Sequence, residues 1–182
     1  MKAPIGLLVT ALLAILMVGC TPSVQPTPDP PSASSTPTPT PSPQWTAEEQ
    51  AAVNAVARYL EVWAGITQKL PDVDRTPIRD VTGDPLRSQI ILDWKDMAAR
   101  GWRLEGTPTL VPTLVTPGAH DYQGDRYHVL GCYTDVDTFI VDKDGTHLDA
   151  GLADNQAVEY LVLHLKEGQY LVLDEKSKDK PC

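Results

Sequence analysis

VEYLVLHLKEGQYLVLDE, residues 158–175, reads as two strands joined by a tight turn. Val, Leu and Tyr crowd both halves, the composition of a pleated, half-buried surface. Between them Glu167-Gly168 supplies the turn signal. A hairpin of this kind is marginal alone and needs further strands or a helix to cover its apolar side.

Upstream, the same short-period pattern continues. WRLEG (102–106), TLVPTLV (109–115) and RYHVLGCYTDVDTFIV (126–141) are strand candidates, with Lys143-Asp144-Gly145 as a second turn. Before residue 101 the period changes to that of a helix. Thr46 and Glu49 form a T-x-x-E capping box. Val53, Val56, Ala57, Leu60, Trp63 and Ala64 then recur as one apolar stripe. A second helix is expected from Asp84 as N-cap and Pro85 as first helical residue. Leu86, Ile90, Trp94, Met97 and Ala98 line one of its faces, and Gly101 ends it. The stretch between the helices, DVDRTPIRDVTG (72–83), reads as a loop or short helix. Helices first and antiparallel strands after make an α+β domain over residues 45–182.

The chain ahead of that domain has a different chemistry. Lys2 precedes an apolar run, Ile5–Val18, shorter than the roughly 20 residues that a membrane-crossing helix needs. Met17-Val18-Gly19-Cys20 resembles the bacterial lipobox, in which the cysteine is lipidated and becomes the mature N-terminus. Residues 1–19 are therefore expected to be a lipoprotein signal peptide and Cys20 the lipidation site. A single acyl chain anchors only marginally, at about 0.8 kcal/mol per buried methylene, so several chains on one cysteine make a stable tether. From Thr21 to Gln44, nine of 24 residues are proline and nearly all others are Thr, Ser, Gln or Asp. Such a tract cannot bury apolar area, and residues 20–44 read as lipidated cysteine plus disordered spacer. Extended at about 3.1 Å per residue, the spacer reaches roughly 70 Å.

Charge and cysteines agree with that address. The chain has 15 basic and 24 acidic residues, net −9. Nucleic acid and anionic lipid surfaces attract basic stripes, so nucleic-acid binding is not expected. With Cys20 lipidated, Cys132 and Cys182 remain, and an oxidising compartment favours a bridge between them. Metal-binding thiols would need further ligands. The expected location is the extracytoplasmic side of the cell membrane, held through the lipid anchor, with an envelope protein as a potential partner.

The second half of the domain resembles small actinobacterial lipoproteins of the nuclear-transport-factor-2-like (SnoaL-like, cystatin-like cone) superfamily. The features shared are GCYTDVD (131–137), VDKDG (141–145), the hairpin VEYLVLHLKEGQYLVLDE and the terminal Cys182. The chain departs in having Tyr170 where a tryptophan is common in the last strand. The resemblance implies helices on a strongly curved antiparallel sheet, a cone-shaped roll whose interior can hold a ligand. It implies no activity. The superfamily also supplies enzymes, and subunits of envelope-spanning secretion or conjugation machines. Prophage-encoded exclusion lipoproteins would share the same sequence features.

Within a cone of that kind, the candidate pocket residues are Tyr59, Trp63 and Trp94 from the helices and Tyr133, Asp135 and His164 from the strands. In a regular strand Tyr133 and Asp135 share one face, and His128 and Cys132 the other. Unless a bulge intervenes, His128 and Asp135 therefore sit on opposite faces, which weakens the case for a His-Asp dyad between them. His164 falls on the face of Tyr160 and Val162, a position more suited to packing than to catalysis. His120, Asp121, Asp125 and His128 invite a metal reading, but PGAHDYQGDRYH (117–128) has the composition of a surface turn. Asp142, Asp144 and Gly145 echo a calcium loop, yet Ala153 stands where its bidentate glutamate belongs. No Walker loop, nucleophile elbow, zincin pair or dinucleotide fingerprint occurs. The sequence thus predicts a non-catalytic binding domain without catalytic residues, cofactor or metal, the rival being a ligand-binding or enzymatic cone cavity.

Overall fold

A computed structural model describes residues 45–134, 137–148 and 156–182. The expected signal peptide and spacer, with Cys20, and Asp135 and Ala153 lie outside the described residues.

Two helices precede seven strands. Helix α1 spans Ala47–Thr67 and α2 Leu86–Arg100, with a short 3-10 helix at Thr76–Asp80 between them. The capping box forms as expected: Thr46 Oγ1 accepts from the Glu49 amide at 3.2 Å, and Glu49 Oε2 accepts from the Thr46 amide at 2.8 Å. Helix α2 begins one residue later than its sequence suggests, with Pro85 at the N-cap and no side-chain cap. The Asp84 oxygens are instead taken by the Ser88 hydroxyl and the Arg87 guanidinium. Gly101 ends α2 in the left-handed conformation at φ 69°, where a residue without Cβ is least strained.

The strands are β1 Arg103–Glu105, β2 Thr109–Pro117, β3 Gly124–Thr134, β4 Phe139–Val141, β5 His147–Leu148, β6 Gln156–Leu165 and β7 Tyr170–Pro181. RYHVLGCYTDVDTFIV is thus two strands rather than one. Its first part belongs to a four-stranded antiparallel sheet in the order β2-β3-β6-β7, its second to a small sheet in the order β1-β4-β5. The quoted hairpin is β6–β7, with Gly168 at φ 87° in its turn. Outside β7, Val81–Gly83 continues the sheet: the Gly83 amide donates to Val172 O and the Val172 amide to Val81 O, both at 2.9 Å. The opposite edge is β2, which carries Pro112 and Pro117 and a register break at Thr113.

The core lies between the helices and one face of the larger sheet. Val115, Val129, Val158, Tyr160, Val162 and Val172 are buried from the sheet side, against Ala52, Val56, Tyr59 and Leu60 of α1 and Ile90 and Trp94 of α2. The α1 stripe is rotated relative to its sequence reading: Ala57 is exposed, while Ala52 and Tyr59 are buried. The architecture is the expected α+β one, helices packed on antiparallel sheets. Cys132 near the end of β3 and Cys182 after β7 stand at disulfide distance, with Cα atoms 5.7 Å apart. No helix among the described residues is long and apolar enough to cross a membrane.

Candidate functional site

A second register break decides what the core face of the sheet presents. Across β6–β7, Val162 pairs with Val172 but Leu161 pairs with Asp174, so Leu173 is an extra residue in β7. Such a bulge reverses the inward-outward alternation beyond it. Tyr170 and Val172 face the core before it. After it Glu175, opposite Tyr160, and Ser177, opposite Val158, take that face.

Glu175 is met there by α1. The Tyr59 hydroxyl donates to Glu175 Oε2 at 3.0 Å. The rings of Tyr59 and Tyr160 meet edge-on, 6.1 Å between centroids. Tyr160 is fully buried, and its hydroxyl lies near Glu175 without a hydrogen bond of good geometry. Burial holds the Glu175 carboxyl above its ordinary range; the Tyr59 and Tyr160 hydroxyls pull it part of the way back. Burial, followed by the Glu175 charge, raises the Tyr59 phenol well above its ordinary value and raises Tyr160 likewise. Both tyrosines are therefore neutral donors at any physiological pH.

The cluster opens into a concavity of about 270 Å³. Tyr59, Leu60 and Trp63 wall it from α1, and Leu86, Gln89, Ile90 and Asp93 from α2. Tyr133 of β3 and Glu175 and Ser177 of β7 complete it. Glu175 is thus crowded by protein and still reaches solvent through the mouth. At the rim, Asp93 accepts from Gln89 Nε2 at 2.8 Å.

Three of the six pocket residues expected from sequence, Tyr59, Trp63 and Tyr133, line this concavity. Trp94 does not. It is fully buried, and its indole N–H donates to Thr67 Oγ1 at 2.8 Å, while the Thr67 hydroxyl donates to Trp63 O at 2.6 Å. His164 is also elsewhere, near the β6–β7 turn, stacked flat on Tyr170 at 4.1 Å and 3°. Asp135 lies outside the described residues. Glu175, the one acidic group at the floor, is the residue that sequence reasoning missed. Its signal was the break in alternation at LVLDE, where two acidic residues follow an unbroken apolar run.

The residues weighed for metal are dispersed into pairs. His120 Nδ1 lies 2.7 Å from Asp125 Oδ1, and Asp121 accepts from Arg126 at 2.6 Å. His128 and Lys178 both approach Glu159 on the opposite face of the sheet. In the β4–β5 turn the Asp142 carboxylate accepts the amides of Asp144 and Thr146, each at 2.9 Å, which gives the side chain a structural task.

No family model matches the chain, and no curated protein matches it. Among solved structures it is similar to the intermembrane space region of the chloroplast protein ARC6, with a TM-score of 0.44 and 13% identity, over 74% of this chain and 98% of that one.

Proposed function

We propose that the protein is a lipid-anchored, extracytoplasmic binding protein whose folded domain holds a small ligand in the concavity between α1, α2 and the sheet. The observation that carries this reading is the Tyr59–Glu175 pair at the floor of an open, aromatic-walled hollow. Glu175 is exposed as a residue, yet its carboxyl is crowded by protein and held above its ordinary range, which costs stability unless something compensates it. Its retention in a concavity bounded by both helices and the sheet fits a recognition role. Small-ligand sites combine such apolar walls with few convergent polar groups.

The tether is supported by the lipobox and the proline-rich spacer, and an oxidising location by the two cysteines at disulfide distance. The resemblance to lipoproteins of the cone superfamily supports the same address. Non-catalytic binding is the favoured role because the hollow presents tyrosines, Ser177 and two carboxyls, Glu175 and Asp93, and no hydrogen bond found among the described residues pairs a nucleophile with a base there.

The test is a thermal-shift screen of the mature chain against small polar metabolites, repeated on Trp63→Ala. A true ligand at 100 times its dissociation constant adds about 2.7 kcal/mol to stability. The expected result is a saturable rise in melting temperature that Trp63→Ala abolishes while its own unfolding remains cooperative. A ligand whose effect ignores Trp63, or a wild type that no compound stabilises, would remove the hollow as the binding site.

A further inference from the structure

The hollow has a chemical bias. Its polar groups that carry charge are Glu175 at the floor and Asp93 at the rim; none of its lining residues is basic. Its walls bring three aromatic rings, Tyr59, Trp63 and Tyr133, whose faces are electron-rich. A positive group is attracted by ring faces and carboxylates alike, and an alkylated ammonium, weakly hydrated and therefore cheap to desolvate, is a characteristic occupant of aromatic cages. An anion would meet two carboxylates with no counter-charge. A neutral sugar or amide would use the rings and leave the acidic floor uncompensated.

Size points the same way. The volume, about 270 Å³, is at the small end of ligand sites and suits a compact head group. Beneath the hollow the fully buried Tyr160 hydroxyl acts on Glu175 alongside Tyr59, so the floor carboxyl is held in place from within the protein. Resting on the binding reading above, we infer that the hollow selects a small alkylammonium ion, its charge on Glu175 and its methyl groups against Trp63, Tyr59 and Tyr133.

The groups that face Glu175 are Tyr59 from α1, Tyr160 from β6, Tyr133 from β3 and Asp174 beside it on β7, with Asp93 across the mouth on α2. None is a cation, so the ligand supplies the positive partner. Burial keeps Glu175 protonated beyond the ordinary carboxyl range, and an ammonium ion binds only its ionised form. Association therefore releases a proton, and affinity climbs with pH until Glu175 is fully ionised.

The experiment titrates choline chloride into the mature full chain by calorimetry, with uncharged dimethylbutanol as its carbon isostere. The expected result is saturable choline binding, with the isostere weaker by about tenfold or more. Glu175→Gln should weaken choline by about tenfold and remove the pH dependence, while leaving the isostere unchanged. Should Glu175→Gln fail to fold, Asp93→Asn on the exposed rim serves instead, with a loss of about two- to fivefold expected. Choline and isostere binding equally would overturn the cation selection and leave the binding hollow standing. Binding of neither would remove both. The trimethylammonium group also occurs on phosphatidylcholine; capture of vesicles of that lipid, competed by free choline, would assign the same site to a membrane head group.

Discussion

The Tyr59 hydroxyl and the Glu175 carboxylate are joined at 3.0 Å across 116 residues of chain, one from the first helix and one from the last strand. The bond ties the two ends of the domain together and sits at the floor of the candidate site. Its consequences can be measured.

Glu175 gives a pH signature. Its carboxyl is held above the ordinary value of 4.5, so in the window between that value and its folded one the native state binds more protons than the unfolded state. Stability from this group therefore falls as pH rises through the window. Glu175→Gln cannot ionise. The variant's unfolding free energy, minus that of the wild type, should increase from about pH 4 upward and then level off, as read by urea melts at a series of pH values. A flat difference would place Glu175 in open solvent.

Trp94 is a core residue. Trp94→Ala should cost about 3–5 kcal/mol, the range for emptying a buried aromatic site. Thr67→Val should cost about 1–3 kcal/mol, because it leaves the indole N–H without its acceptor. The double substitution should cost less than the sum, since both act on one bond. Additive losses in urea melts would show that the bond contributes nothing.

His164 serves packing. Its ring lies flat on Tyr170, away from the hollow. His164→Ala should lower stability by about 1 kcal/mol and leave ligand affinity at the wild-type value. Lost affinity with unchanged stability would move the site to the other end of the sheet.

Cys132 and Cys182 are 50 residues apart in the chain. Their bridge should contribute about 4 kcal/mol in the loop-entropy model. Reduction, or Cys182→Ser, should lower the urea midpoint accordingly, and intact mass should rise by two hydrogens on reduction. Both thiols alkylating without reductant would show that they stand near each other unjoined.

Cys20 is the proposed anchor point. Cys20→Ala should shift the protein from the membrane to the soluble fraction or leave it unprocessed. Normal processing with unchanged membrane partition would refute lipidation.

The fold class was legible because period and punctuation are local: the capping box, Gly101 and the Gly168 turn all act within a few residues. What escaped depends on contacts made far along the chain. Strict alternation from Tyr170 through Val172 points Asp174 inward and Glu175 outward; the Leu173 bulge, set by pairing with β6, reverses them. The α1 stripe was misphased because Tyr59, amphipathic and polar-tipped, was passed over for Ala57. Its hydroxyl is buried only because Glu175 arrives to accept from it. Trp94 joined the pocket residues on the strength of its size, although the Thr67 hydroxyl lets it pack entirely inside.

The two rims of the larger sheet have a bearing on the proposed tethering at a membrane. Lipid tethers hold many copies in a thin layer, where exposed strand edges template aggregation. Here one rim is already hydrogen-bonded to Val81–Gly83. The other is interrupted by Pro112, Pro117 and the irregularity at Thr113, although Val111 and Leu114 on it are exposed. If many copies stand side by side on the proposed anchor, edge-to-edge pairing would be interrupted at Val172 on one rim and at Pro112–Thr113 and Pro117 on the other.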